Sequence, residues 1–188
     1  MFDYTLIRSR RKTISIEIDS GAHLTVRAPM RTPKYEIQRF LEEKNEWIEK
    51  HMAGAEKRME KARQAEPLSR WELRDLTEEA LRVLPLKVKH YAQIIGVTYG
   101  HITVRNQKTL WGSCSSKGNL NFNCMLMKTP EHIQDYVVVH ELCHRKEMNH
   151  SARFWKLVGE VIPDYKQCRK WLKDEGGALL LSSHARSA

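Results

Sequence analysis

The sequence predicts an α+β fold, in which a small antiparallel sheet and a motif-bearing helix form the core and a β-hairpin and helix region precedes it. Two observations indicate strands: apolar and polar side chains alternate over residues 4–8, 12–18 and 23–28, and a second hairpin pattern spans 109–125. A third observation indicates helices, because apolar residues recur at helical spacing over 77–95. We expect no membrane span, since the longest apolar runs are far below the roughly 20 residues that one needs.

The N-terminal region is predicted to be a small antiparallel sheet followed by a helix. Asp19-Ser20-Gly21 is a hairpin signal between the second and third strands. Pro29 ends the sheet, and Thr32 is a candidate cap for a helix with Pro33 at its first position. Charged residues dominate from 50 to 70, which indicates either an exposed helix or a boundary between two parts of the chain. The apolar stripe of the helix consists of Ile37, Phe40, Leu41, Trp47 and Ile48.

The second part of the chain is predicted to alternate helices with short strands. A helix is expected from Thr77 to Ile95, with Gly96 at its end and a kink or break at Pro85. Ser151 is a plausible cap for the helix that follows the motif helix. The other elements follow in chain order: a strand over 97–106, the hairpin over 109–125, the motif helix over 131–147, and two helices over 151–160 and 164–174.

The stretch from 140 to 150 reads His-Glu-Leu-Cys-His-Arg-Lys-Glu-Met-Asn-His and contains the motif H-E-x-x-H. His140 and His144 are four residues apart, so on a helix they lie on one face, about one turn from each other. Two imidazoles at that spacing can bind one zinc ion from the same side. Glu141 lies beside the first ligand and can accept a proton from a zinc-activated water, so we expect it to be the general base.

The third protein ligand is predicted to lie beyond the motif helix. Glu147 would stay on the same helical face, but roughly 10 Å along the axis from His140, whereas zinc–ligand bonds are about 2 Å long. The chain must therefore turn, and Asn149 is a plausible helix terminator. His150 lies in that turn and is the favoured third ligand, with Glu160 on the following helix as the alternative. The fourth position is then left for water, as in a catalytic zinc site.

Charge and cysteine content indicate the compartment and the partners. The formal net charge is +9, for which nucleic acid, an anionic surface and simple solubility are alternative explanations. The basic residues are dispersed and not interleaved with aromatic ones, so a solvated basic face is favoured over a nucleic-acid contact. The N-terminus lacks the pattern of a secretion signal. We therefore expect a cytoplasmic protein with reduced thiols at Cys114, Cys124, Cys143 and Cys168.

Several stretches of the chain carry a resemblance to a known family: Ser9-Arg10-Arg11-Lys12-Thr13-Ile14-Ser15-Ile16, Ala28-Pro29, Trp111-Gly112-Ser113-Cys114-Ser115, Asn121-Phe122-Asn123, Tyr136-Val137-Val138-Val139-His140-Glu141-Leu142-Cys143-His144, and Asn149-His150-Ser151 with Phe154-Trp155. They are similar to the YgjP-like family of zinc metallopeptidases. The similarity covers roughly residues 5–175, and the motif region is highly specific. The family in turn resembles the SprT and WLM-type proteases, small zincins linked to DNA–protein repair.

The resemblance implies a zincin-like core and a zinc-dependent metallopeptidase that acts on polypeptides. It implies zinc on His140, His144 and His150, with Glu141 as the general base. The expected domain organisation has three parts: N-terminal strands plus helix, packed on the core, at 1–66; the zinc metallopeptidase core at 67–176; and a loose C-terminal tail at 177–188.

The sequence also predicts a substrate groove and leaves two rival functions open. The hairpin precedes the motif helix, so one of its strands is a candidate edge with which an extended peptide can pair. Tyr165 and His132 are candidate donors to the oxyanion. The rivals are a zinc-stabilised nucleic-acid-binding or DNA-repair-associated module and a zinc hydrolase of a non-peptide amide. The intact Glu141 argues against the first rival, since a structural zinc site has no need of a base.

Overall fold

The computed structural model describes residues 2–19 and 21–184. The chain divides into two units, Met1–Gln64 and Ala65–Ala188, each with its own hydrophobic core. The expectation that the N-terminal part packs on the metallopeptidase core stays a prediction. No helix of the described residues is both long and apolar enough to cross a membrane.

The first unit contains a three-stranded sheet with β1 at Thr5–Ser9, β2 at Ser15–Ile18 and β3 at Leu24–Pro29. β3 lies in the centre and pairs antiparallel with β2, as the hairpin signal predicts. The prediction of a fully antiparallel sheet is wrong for β1, which pairs parallel with β3. Side-chain alternation fixes which face of a strand is buried, but it fixes neither the partner nor the direction of pairing.

Two helices cover this sheet's apolar side chains: α1 at Lys34–Glu43 and α2 at Asn45–Gln64. Pro33, rather than the predicted Thr32, occupies the cap position of α1, with no side-chain hydrogen bond to the helix. α2 extends through the charged stretch, so the exposed-helix interpretation holds up to residue 64. The core of the unit consists of Leu24, Val26, Ala28, Ile37, Leu41 and Ile48.

The second unit begins with α3 at Arg70–Ile95. Its start is fixed by a capping box: the Ser69 hydroxyl accepts from the Glu72 N–H, and the Glu72 carboxylate accepts from the Ser69 N–H. Gly96 ends it in the left-handed region at φ 70°, as predicted. Of the predicted kink or break at Pro85, the break is wrong, because the helix continues through the proline, and the kink stays a prediction. Burial of Leu84 beside the proline, in a stripe that runs the length of α3, holds the helix together there.

A second three-stranded sheet follows, with β4 at Ile102–Arg105, β5 at Gly112–Cys114 and β6 at Leu120–Asn123. β5 and β6 form the predicted antiparallel hairpin, and β4 pairs parallel with β6. The central strand is β6, so β5 is an edge strand. Leu120 and Phe122 of β6 are fully buried against the helices.

The remaining helices are α4 at Glu131–Cys143, α5 at Ala152–Val161, α6 at Tyr165–Trp171 and α7 at Gly177–Ser182. A 3₁₀ helix at Cys124–Lys128 precedes α4, and a π-helical turn at Leu172–Gly176 joins α6 to α7. α4 is the central helix of the unit, and its apolar residues are buried on nearly all sides. These residues are Ile133, Tyr136, Val137, Val138, Val139, Leu142 and Cys143.

The expected loose tail is helical over much of its length. In α7 the side chains of Ala178 and Leu180 are buried in the core, and the Ser183 hydroxyl donates to the side chain of Asn106 at 3.1 Å. The expectation is therefore wrong for residues 177–184, because the leucines of this segment have a core to pack against. Residues 185–188 of the predicted tail lie outside the described residues.

Candidate metal centre

The helix that carries the motif ends at the second histidine. α4 stops at Cys143, with His144 as its C-cap, four residues before the predicted end at residue 147. The next two residues bind elsewhere: Arg145 donates to the carbonyls of Thr98 at 3.0 Å and Ser116 at 3.3 Å, and Lys146 donates to a carbonyl at the end of α3. The backbone itself makes one more turn, because the N–H groups of Lys146 and Glu147 both donate to the Cys143 carbonyl, and the chain leaves the helix after it.

The turn delivers a third histidine to the first two. The Ser151 hydroxyl caps α5 by accepting from the Phe154 N–H, as predicted, and His150 lies one residue before that cap. Ligand nitrogens of His140, His144 and His150 all lie within 4.8 Å of one another. The Nε2 atoms of His140 and His150 are 3.0 Å apart. The three residues chosen from the sequence thus converge on one point.

Neither Glu160, the alternative third ligand, nor Glu147, which helix geometry excludes, is part of this group. Glu160 is exposed on α5, Glu147 is half-buried on the turn, and neither side chain joins the histidine cluster. Glu147 instead contributes its main chain, because its carbonyl oxygen lies 3.1 Å from Nδ1 of His144. A proton on Nδ1 donates to that carbonyl and leaves Nε2 free to bind a metal. His140 has a similar partner, since its Nδ1 lies 3.4 Å from the Tyr136 hydroxyl.

Aromatic rings of α5 surround the imidazoles. Phe154 stacks on His144, with centroids 4.6 Å apart and planes at 29°. Trp155 stacks on His150 at 5.5 Å and 20°. The sequence pattern predicts these two rings only as core residues of a helix. Their contact with the histidines was predictable from their position in the first turn of α5. The first turn of a helix lies closest to the residue that precedes its cap, which here is His150.

Burial keeps the inner histidines in the form that binds metals. Burial lowers the pKa of His140 to about 3, and electrostatic interactions with His144, His150 and Arg169 act in the same direction. Burial also lowers the pKa of His144. Both imidazoles are therefore neutral at neutral pH, with lone pairs available to a cation. Converging neutral imidazoles with hydrogen-bonded second nitrogens fit a transition-metal site.

Glu141 lies between the cluster and the second sheet. Its side chain is only 5% exposed, and burial raises the pKa of its carboxyl group to about 8. The edge strand lies directly against it: a Cβ atom built at Gly112 would be 2.8 Å from both Cγ and Oε1 of Glu141. This close approach explains a glycine at the start of β5. The backbone of an edge strand, a buried carboxyl group and three imidazoles therefore adjoin one another.

The two candidate oxyanion donors are not in contact with the cluster. His132 is exposed on the first turn of α4, and eight residues of helix place it roughly 12 Å along the axis from His140. Tyr165 stacks on Trp155 at 5.4 Å and 12°, which gives it a packing role. Cys114 and Cys143 are free thiols, and neither belongs to the histidine group.

The chain is similar to a known family and to part of two solved structures. The family described as "YgjP-like, metallopeptidase domain" matches residues 12–75 and 59–175. No curated protein sequence matches the chain. Two solved structures are similar to part of it. The metallopeptidase zymogen abylysin of Pyrococcus abyssi is 24% identical with a TM-score of 0.44, covering 48% of this chain and 94% of its own. The zymogen jannalysin of Methanocaldococcus jannaschii is 18% identical with a TM-score of 0.40, covering 45% and 90%.

Proposed function

Because the chain belongs to the YgjP-like metallopeptidase family, it is a metal-dependent peptidase, and we propose that it hydrolyses peptide bonds with zinc as the metal and Glu141 as the general base. The observation that carries this proposal is the convergence of His140, His144 and His150 beside that buried carboxyl group. Three protein ligands leave one position open, which distinguishes a catalytic zinc site from a structural one.

The three histidines would hold the metal, and each has a feature that orients it. The Glu147 carbonyl fixes the tautomer of His144, the Tyr136 hydroxyl lies beside His140, and the Trp155 ring stacks on His150. Zinc bound to these nitrogens would act as a Lewis acid that polarises the scissile carbonyl and lowers the pKa of water.

Glu141 would move the proton in the reaction. It follows the first ligand in the chain, so its carboxylate can take a proton from the attacking water and deliver it to the leaving amine. The ionised carboxylate is required for the first step. Burial opposes ionisation, since it raises the pKa of this group, whereas a cation on the neighbouring imidazoles favours it.

The edge strand β5 offers a binding surface for an extended polypeptide. One side of β5 pairs with β6, and in the described sheet its other side pairs with no strand. A peptide that adds to this edge would lie beside Glu141, because Gly112 of β5 contacts that side chain. Main-chain pairing binds a peptide without requiring one particular sequence.

Neither rival function gains support from the site. No feature of the described histidine cluster points to nucleic acid or to a non-peptide amide, whereas the family match points to a peptidase. A cytoplasmic location remains part of the proposal, because free thiols such as those of the four cysteines persist in a reducing compartment.

The decisive experiment compares Glu141→Gln with Glu147→Gln. We expect Glu141→Gln to retain one zinc ion per chain and to lose hydrolysis, because only the base is removed. Glu147→Gln removes a nearby carboxylate that contributes only its main chain to the cluster, so it should retain both zinc and activity. Mass-spectrometric mapping of cleavage sites in a cell lysate supplies the substrates, and elemental analysis gives the metal content. Full activity of Glu141→Gln would refute the assignment of the base.

A further inference from the structure

A cation from α6 lies close to the histidine cluster. The guanidinium carbon of Arg169 is 4.1 Å from the centroid of the Trp155 ring, in a cation–π contact. The same indole packs against His150 at 5.5 Å and against His140 at 5.7 Å, centroid to centroid. These distances place the guanidinium no more than about 10 Å from either imidazole. The indole thus fixes a positive charge beside the proposed metal centre.

This guanidinium has no carboxylate partner among the described residues. Arg169 is exposed and forms no salt bridge there, while the next residue, Lys170, pairs with Asp174 at 3.9 Å. A ring contact uses the flat face of a guanidinium and leaves the N–H groups at its edge available. Those groups have the fork geometry that binds a carboxylate through two parallel hydrogen bonds.

The positive charge of Arg169 affects pKa values in and beside the histidine cluster. After burial and the two other histidines, it is a further cause of the lowered pKa of His140. It also opposes the effect of burial, which raises the pKa of Tyr136. A metal cation on the histidines would repel this guanidinium, and an anion bound beside both relieves the repulsion.

We propose that Arg169, held over Trp155, is a specificity-determining residue that binds a carboxylate of the substrate next to the cleaved bond. This inference rests on the proposed peptidase function and names its substrate class. The carboxylate belongs either to an Asp or Glu side chain near the scissile bond or to the C-terminus of the peptide. Both sources present the same planar anion to the guanidinium.

The test uses peptides based on one cleaved sequence. Glu is placed at each position near the cleaved bond in turn and compared with Gln at the same position. A second pair compares a free C-terminus close to the bond with an amidated one. The kcat/KM ratio of each pair is measured for the wild type, Arg169→Gln and Arg169→Lys. Lys170→Gln is the matched control, since it removes the same charge from the same helix without a contact to Trp155.

We expect the wild type to favour the carboxylate peptide in one pair by roughly tenfold or more, the value of a charge-assisted hydrogen bond. Arg169→Gln should bring that ratio to about one, while Arg169→Lys should keep part of it, because lysine retains the charge but lacks the fork. Lys170→Gln should keep the wild-type ratio. A preference in the Glu pairs identifies the side chain as the source, and a preference in the C-terminal pair identifies the terminal carboxylate.

The outcomes separate this inference from the function on which it rests. Cleavage without any carboxylate preference, or a preference that survives in Arg169→Gln, overturns the inference and leaves the peptidase intact. If no peptide is cleaved, the proposed function is refuted, and the role of Arg169 is then tested by peptide binding. Dissociation constants of the same fluorescent peptides for zinc-loaded Glu141→Gln are then compared with those for the Glu141→Gln, Arg169→Gln double variant. If the ratio of dissociation constants within each peptide pair is the same for both proteins, the proposal for Arg169 is overturned.

Discussion

Substitution of Gly112 by alanine tests whether the edge strand positions the general base. The added Cβ would lie 2.8 Å from Cγ and from Oε1 of Glu141, whereas ordinary contact begins at 3.4 Å. To restore ordinary contact, the carboxylate or the strand must therefore move by about 0.6 Å, the difference between those two distances. The backbone at Gly112 is not in the left-handed region, so alanine is unstrained there and the effect comes from the contact alone.

The magnitude follows from that displacement. A shift of about 1 Å in a catalytic group can cost about 100-fold in rate, so roughly 0.6 Å corresponds to a loss of about tenfold or more in kcat. Extra volume in a packed site also costs about 1–3 kcal/mol of stability. Zinc content should remain at one ion per chain, because the three atoms nearest the added Cβ all belong to the base, Glu141, and not to a histidine.

The assay measures kcat and KM on a peptide substrate, zinc content, and the free energy of unfolding. Gly54→Ala is the control: its Cβ would meet only the flexible end of Arg58 at 3.4 Å on α2, and alanine should stabilise that helix by about 0.5–1 kcal/mol without a change in kcat. A wild-type kcat in Gly112→Ala, with zinc bound and the fold intact, would show that β5 does not position the base.

Three further predictions concern the elements around the site. Trp155→Leu should weaken zinc binding more than Trp155→Phe, because leucine removes the ring that stacks on His150; competition with a chelator measures the affinity. Asp135→Asn should destabilise the fold by about 1–3 kcal/mol in urea titrations, since the Lys87 ammonium, 14% exposed, loses its 2.7 Å partner. Burial lowers the pKa of Lys87, but hydrogen bonds to Asp135 and Glu131 outweigh this and raise it above 10.5, so the stabilisation should be complete below that pH and disappear as the pH rises further. Ser69→Ala should cost about 1 kcal/mol of stability through loss of the capping box at the start of α3.

Each of these predictions has an outcome that contradicts it. Equal zinc affinity in Trp155→Leu and the wild type would show that the stacked ring does not orient His150. A destabilisation by Asp135→Asn that persists unchanged at pH 12 would exclude the ion pair as its source. Ser69→Thr, which keeps the hydroxyl group, should retain most of the stability that Ser69→Ala loses. A loss of equal size in both would assign the effect to something other than the cap.

The sequence predicts the histidine cluster well because its geometry is local. The spacing of His140 and His144 defines one helical face, and bond lengths require the chain to turn before another ligand arrives. His150 is therefore predictable from residues within a span of eleven. The hairpin of β5 and β6 is local in the same sense, since its turn residues and its two strands are contiguous.

Features that depend on contacts between distant parts of the chain were either not predicted from the sequence or predicted wrongly. The parallel pairing of β1 with β3 joins strands that are not adjacent in the chain, and the end of α4 is accompanied by long-range contacts such as the one from Arg145 to the Thr98 carbonyl. The contact between Gly112 and Glu141 joins a strand to a helix, and spacing cannot reveal it. Leu180 of the expected tail is buried only because the core offers a surface that local composition does not record.

The position of the second ligand at the end of α4 links the metal to the stability of the fold. His144 is the C-cap of that helix, and His150 directly precedes the cap of α5. A metal ion on these histidines would close the connecting turn as a short cross-link, in addition to the contacts of Arg145 and Lys146. Binding to the folded state alone stabilises that state in proportion to the logarithm of ligand concentration. Metal supply would thus set the lifetime of the folded chain as well as its activity.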